Sequence, residues 1–201
     1  MFLWRISKFA DLSGKGGELV SGRWHDKGHP IVYCADHPST ALLEMIVHMN
    51  PVNIPESYQL LKIECPDELW RTDEVQFSPR EQDMREMLGH GITEQQISAM
   101  LGVSDATVHG FLEGTLSKIE TQSGIQADEF RQRVLNLRIQ DRNYTARFGT
   151  DWLESMRSCI LKVPSAVMPE ATNYLLNPSH PDAGKIKIVS VFEYLFDQRL
   201  R

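Results

Sequence analysis

Three side chains in the first quarter of the chain have the types needed to bind and cleave a charged substrate: Arg23, Tyr33 and Glu44. A guanidinium pairs with phosphate through two parallel N–H bonds. A carboxylate stabilises a developing positive charge. A tyrosine ring stacks on a planar group or fills a core. Glu44 stands in the most unusual setting. It lies in STALLEMIVHMN (39–50), where Leu42, Met45, Ile46 and Met49 follow helical spacing and Leu43 and Val47 widen the apolar face. A carboxylate there is either on a narrow solvated side or held in a pocket by cationic and hydrogen-bonding partners. Arg23 follows the glycine-rich GKGGELVSG (14–22), whose backbone N–H groups could approach a phosphate. That stretch lacks the GK[ST] ending of a P-loop and the GxGxxG order of a dinucleotide turn. A flexible turn beside a surface arginine explains it equally well.

The elements that must position these residues are legible in outline. FLWRIS (2–7), PIVYCA (30–35) and YQLLKIEC (58–65) read as strands, and 39–50 as a helix capped by Ser39. DLSGKGGELVSG (11–22) reads as loop. Residues 78–141 are polar, helical and rich in Gln, Glu and Arg. Beyond them come a helix at 151–158, strands at 159–167 and 185–196, and the turn-rich NPSHPDAG (177–184). The pattern predicts an α+β domain, 1–77 and 142–201, split by an all-helical insertion, 78–141.

Composition narrows the function. The chain has 201 residues, 41% of them hydrophobic, which suffices for one sizeable core. A net charge of -6 and a pI near 5.6 weigh against non-specific binding to nucleic acid or anionic membrane. No apolar run reaches membrane-spanning length, and MFLWRISKF lacks a signal-peptide layout. Cys34, Cys65 and Cys159 are widely spaced and odd in number, which predicts reduced thiols and a cytoplasmic protein. Without a CxxC or an HExxH, no metal site is expected.

Several spaced motifs resemble one family. GRWHDKGHPIVYCADHPSTALLE (22–44), WLESMRSCILKVPSAVMPEATNYLLNPSHPD (152–182) and the closing FDQRL (196–200) are similar to the RES domain, named for its arginine, glutamate and serine. The likeness covers 1–76 and about 148–201. It implies an ADP-ribosyltransferase-like mixed sheet and a bacterial toxin of a toxin–antitoxin pair. NAD would be substrate rather than cofactor, consumed with release of nicotinamide. ADP-ribose would pass to water, phosphate or a protein. The implied partners are an Xre-like antitoxin and further copies of the chain.

Carried over residue by residue, the catalytic set is Arg23, Tyr33, Glu44 and Ser165, and the NAD-binding set is Arg5, Arg23, Tyr33 and Asn177. Asn177 and His180 belong to the NPxHP element, where building a turn is an equal role. Ser158 is the rival to Ser165. The chemistry fits one carboxylate. Nicotinamide leaves a cationic pyridinium as a neutral molecule and needs no general acid, unlike the leaving group of an ordinary glycosidase. Glu44 would stabilise the oxocarbenium-like ribose. Arg5 and Arg23 would hold the pyrophosphate, and Tyr33 would stack on nicotinamide or orient the ribose. Ser165 would hydrogen-bond substrate or Glu44. It has no His–acid pair to make it a nucleophile.

Relative to a typical RES domain, 78–141 reads as additional. Within it, ITEQQISAMLGVSDATVHGFLEG (92–114) resembles a helix-turn-helix. Thr93 and Gln96 form a capping box, Gly102 makes the turn and Ser104 caps the second helix. Ile97, Leu101, Val103, Val108 and Leu112 would be its core. The second helix, SDATVHGFLEG, carries no Lys or Arg, so Thr107 and His109 would reach base edges without phosphate anchors. The charge balance favours a helical interaction module over DNA binding. QADEFRQRVLNLRIQ (126–140) adds a helix with Phe130, Val134, Leu135 and Leu137 as its stripe. The alternative to an enzyme is an idle RES scaffold that regulates through this segment. The complete set Arg23, Tyr33, Glu44 and Ser165 favours the enzyme.

Overall fold

The computed structural model describes residues 1–49, 55–69, 92–120, 125–168 and 170–197, with 83 and 87. They fall into two compact units, Met1–Leu69 with Arg142–Arg201, and Trp70–Asp141.

The first unit is α+β. Its strands are β1 (Phe2–Ser7), β2 (Val32–Ala35), β3 (Ser57–Glu64), β4 (Ile160–Pro164), β5 (Thr172–Leu176) and β6 (Lys187–Leu195). They form one sheet in the order β4-β5-β2-β1-β3-β6. Every neighbouring pair is antiparallel, so the sheet is not the mixed one expected. The alternation of FLWRIS is realised in β1, where Leu3 is buried and Phe2 is exposed. Leu3, Val32, Leu61, Ile63 and Leu175 have no exposed surface and form the centre of the core. The buried thiols of Cys34 and Cys65 are pushed up to about 12, and that of Cys159 to about 11, so all three behave as small hydrophobes.

Among the described residues, three α-helices and two short 3-10 helices, Asp67–Leu69 and Ala183–Lys185, complete this unit. The glycine-rich stretch, expected as loop, contains a short helix, α1 (Lys15–Leu19). Helix α2 (Pro38–His48) begins one residue earlier than expected. Its cap is not Ser39: the His37 ring accepts from Ser39 N–H, and Pro38 opens the helix. The expected buried face of α2 is also incorrect. Only Ala41 is buried, Val47 is 55% exposed, and Leu42, Met45, Ile46 and Met49 are half-buried. A later helix (Arg142–Ser155) is far longer than the 151–158 expected. Its inner face is Thr145, Ala146, Gly149, Thr150, Trp152 and Leu153, a helical stripe in which small residues replace large apolar ones. Gly149 meets the backbone of Trp24 so closely that a Cβ would lie 1.9 Å from the Trp24 carbonyl oxygen.

The second unit holds α3 (Glu94–Leu101), α4 (Asp105–Glu120) and α5 (Ile125–Arg138); the long helix of the first unit is therefore α6. Helix α3 opens with the Thr93–Gln96 capping box and closes at Gly102, whose φ of 65° lies in the left-handed region. Ser104 Oγ accepts from Thr107 N–H at the start of α4. Ile97, Val108, Leu112, Leu116 and Val134 form the core, with Val103 and Leu137 packed against it. Leu101, expected inside, is 42% exposed because the chain turns away at Gly102. Phe130 has its side chain outside the described residues. His109, a candidate base reader, is held by Arg138, which also pairs with Glu94 at 2.8 Å.

Candidate active site

Strands β1 and β2 share a single pair, Trp4 with Ala35. Beyond it the two strands part, and Arg5 enters the gap. Its Nη1 donates to the Tyr33 carbonyl at 3.1 Å, supplying the bond a longer ladder would have made. Its Nε is buried without a partner among the described residues. A cavity of about 530 Å³ opens over this split. Ala41, Glu44, Met45 and His48, at i, i+3, i+4 and i+7 on α2, form one wall. Arg5, Arg23, Tyr33, Arg142 and Asn173 also line it.

Glu44 is held by two donors on the same oxygen. Ser165 Oγ donates to Oε1 at 2.6 Å, and Asn173 Nδ2 donates to it at 2.7 Å. Ser165 is 2% exposed, and its Oγ also accepts from the N–H groups of Val167 and Met168. A hydroxyl has one donor and two acceptor sites, and all three are engaged. Ser165 therefore fixes Glu44 and has no lone pair left for nucleophilic attack. Ser158 is elsewhere: it accepts from Trp152 Nε1 and donates to the Ile160 carbonyl.

Tyr33 is equally committed. Its hydroxyl accepts from Trp24 N–H at 3.2 Å and meets His25 Nδ1 at 2.8 Å. His25 Nε2 faces the Val20 carbonyl, which only accepts, so Nε2 carries the proton and Tyr33 donates to Nδ1. Burial lowers the His25 pKa, keeping the ring neutral, and raises that of Tyr33. Arg142 and Arg23 lie near enough to Tyr33 to oppose its shift. Gly22 leaves room for this arrangement, since a Cβ there would lie 2.5 Å from the Tyr33 hydroxyl oxygen. The hydroxyl thus locks the Arg23–Trp24 segment onto β2, at the wall of the cavity that Tyr33 lines.

The structure brings together Arg5, Arg23, Tyr33, Glu44 and Ser165. It leaves Asn177 out. That side chain is 1% exposed, donates to the Leu153 carbonyl and accepts from Ser179 N–H. Asn177 builds the NPxHP turn and borders a separate cavity of about 430 Å³. The glycine-rich stretch also contributes less than expected: of its glycines, only Gly22 lines the main cavity. Sequence reasoning missed His25, His48, Arg142 and Asn173. Asn173 carried no distinct signal, since it follows Thr172 and only precedes the apolar run YLL. Arg142 carried none.

A RES domain profile matches residues 2–101 and 84–197, which together take in nearly the whole chain. The chain belongs to the RES domain family. Among its relatives, a protein of Pseudomonas putida named Toxin Res is 34% identical over 202 residues, covering 100% of this chain and 99% of that protein. A Sphingobium protein named Prs ADP-ribosylating toxin is 30% identical, covering 98% and 94%. These matches run through the helical unit, so the segment read as an insertion is shared with both relatives. A chain of the crystal structure of the M. tuberculosis MbcT–MbcA toxin–antitoxin complex has the same fold, at a TM-score of 0.53 and 13% identity, covering 96% of this chain and 84% of that one.

Proposed function

We propose that this chain is a RES-type toxin that cleaves the nicotinamide–ribose bond of NAD and passes ADP-ribose to water or phosphate. The observation that carries the reading is Glu44, held in a cavity by Ser165 and Asn173 through one oxygen, with Arg5, Arg23 and Arg142 lining the same space. Three cations suit a pyrophosphate, and one oriented carboxylate suits an electron-poor ribose. In the reaction, the bond from ribose C1 to the pyridinium nitrogen breaks. Its electron pair leaves with nitrogen, so nicotinamide departs neutral and needs no proton. The carboxylate of Glu44 stabilises the positive charge left on the ribose while an acceptor oxygen bonds to C1, and the acceptor's proton goes to solvent. Because the Tyr33 hydroxyl is engaged with His25, Tyr33 serves through its ring, by stacking.

The names of the relatives support the toxin assignment, and one of them, an ADP-ribosylating toxin, supports transfer of ADP-ribose to an acceptor. The same reading includes restraint by an Xre-like antitoxin, self-association and residence in the cytoplasm. Among the described residues no helix is long and apolar enough to cross a membrane. Product analysis tests the acceptor. Mass spectrometry of NAD reactions without and with phosphate is expected to show ADP-ribose alone in the first case and a phosphorylated ADP-ribose in the second. Intact NAD in both would overturn the proposal.

A further inference from the structure

Asn173 does more than hold Glu44. The carboxylate of Glu44 can only accept hydrogen bonds, so the Asn173 amide must turn its NH₂ group toward it, as the 2.7 Å contact records. Its Oδ1 then faces away from Glu44. Asn173 is 8% exposed, it lines the cavity, and Oδ1 is buried with no partner among the described residues. A buried amide oxygen without a donor is costly and calls for one. On the other side of the shared contact, both donors to Glu44 fall on Oε1. Glu44 and Asn173 line the same cavity, and the acceptors left over from their contact are Glu44 Oε2 and Asn173 Oδ1.

Two acceptors on contacting side chains match two adjacent hydroxyls. We infer that Asn173 contacts substrate directly, its Oδ1 accepting from one hydroxyl of a vicinal diol whose other hydroxyl donates to Glu44 Oε2. The inference rests on the NAD reading, in which the diol is the ribose bearing nicotinamide. It assigns Asn173 a part in specificity: a substrate lacking that hydroxyl leaves the amide oxygen unpaired.

The test measures kcat and KM for NAD and for its analogues lacking the 2′- or the 3′-hydroxyl of the nicotinamide ribose, with wild type and Asn173→Ala. With wild type, each analogue is expected to lose about 10- to 100-fold in kcat/KM, the loss a missing hydrogen bond to a buried group brings. Asn173→Ala is expected to lose a similar factor with NAD. For one analogue, and only one, the variant loses less than it does with NAD, because the bond from that hydroxyl to Oδ1 is already missing and only the hold on Glu44 remains to be lost. If Asn173 merely held Glu44, its loss would lower kcat alike on all three substrates, and additive losses with both analogues would overturn the inference. So would wild-type kinetics in Asn173→Ala. A second variant guards against a folding defect. Asn173→Asp keeps the size and the Oδ1 acceptor, and donates to Glu44 only while protonated. Two carboxylates in contact cannot both ionise freely, so this variant is expected to work at the acid end and to lose activity as pH rises. A pH profile unchanged from wild type would contradict the assignment. Absence of NAD turnover in wild type would overturn the enzymatic reading and this one with it; turnover with additive losses would overturn only the role of Asn173.

Discussion

Ser165 makes three hydrogen bonds with one hydroxyl, and all of them point to the same role. Ser165→Ala removes one of the two donors on Glu44 Oε1. A charge-assisted bond contributes about 1.5–3 kcal/mol, so kcat is expected to fall about 10- to 100-fold without vanishing. Mass spectrometry of wild type during turnover is expected to find no ADP-ribose on Ser165; a covalent adduct there would contradict the positioning role. His25 supplies a second residue-scale prediction. Its folded-state pKa is depressed below the ordinary 6.5 by burial. The stability it contributes is present above 6.5 and is lost as pH falls from there toward the depressed value, because the unfolded chain takes up the proton first. Melting temperatures measured across that range are expected to drop in wild type and to run flatter in His25→Phe. Equal slopes would remove His25 from the account. Arg23, Tyr33, Glu44 and Ser165 were legible because they sit in motifs of the RES domain. Asn173 was not, because its partner is far away in sequence: it meets Glu44 across 129 residues. His25 was not either, because it meets Val20 and Tyr33, only 5 and 8 residues away, through a turn that no periodic pattern announces.

At the scale of elements, the clearest strands and the capping box were readable from alternation and local chemistry, which depend on near neighbours alone. Strand β5 was passed over. TNYLL has no alternation because it lies inside the sheet between β4 and β2, with both faces covered. That omission hid Asn173. Helix α6 was shortened because the buried face of its first half is Thr145, Ala146, Gly149 and Thr150, residues with little hydrophobic signal. Small residues are required there by the close approach to Trp24, whose neighbour is Arg23. Gly149→Ala is therefore expected to destabilise the fold by about 1–3 kcal/mol, as overpacking does, and to raise KM for NAD by displacing the Arg23 segment. Thermal unfolding beside NAD kinetics checks both. An unchanged melting temperature would show that the contact yields without penalty.

At the scale of the molecule, an acidic chain with a net charge of -6 gathers Arg5, Arg23 and Arg142 around one cavity. The concentration of positive charge in one place, against the overall balance, suits a small polyanionic substrate better than a nucleic acid surface. The helical unit gives no contrary sign, since His109 is engaged with Arg138. What the sequence could not disclose at this scale is the parting of β1 from β2, which arises from a ladder only one pair long and opens the cavity. The most direct measurement is nicotinamide release from NAD by the purified chain beside its Glu44→Gln variant, with circular dichroism to confirm that both are folded. The account predicts steady release by wild type and at least a hundredfold loss, on the order expected for removing a transition-state electrostatic contact, in a variant with an unchanged spectrum. Release at the wild-type rate by folded Glu44→Gln would contradict it.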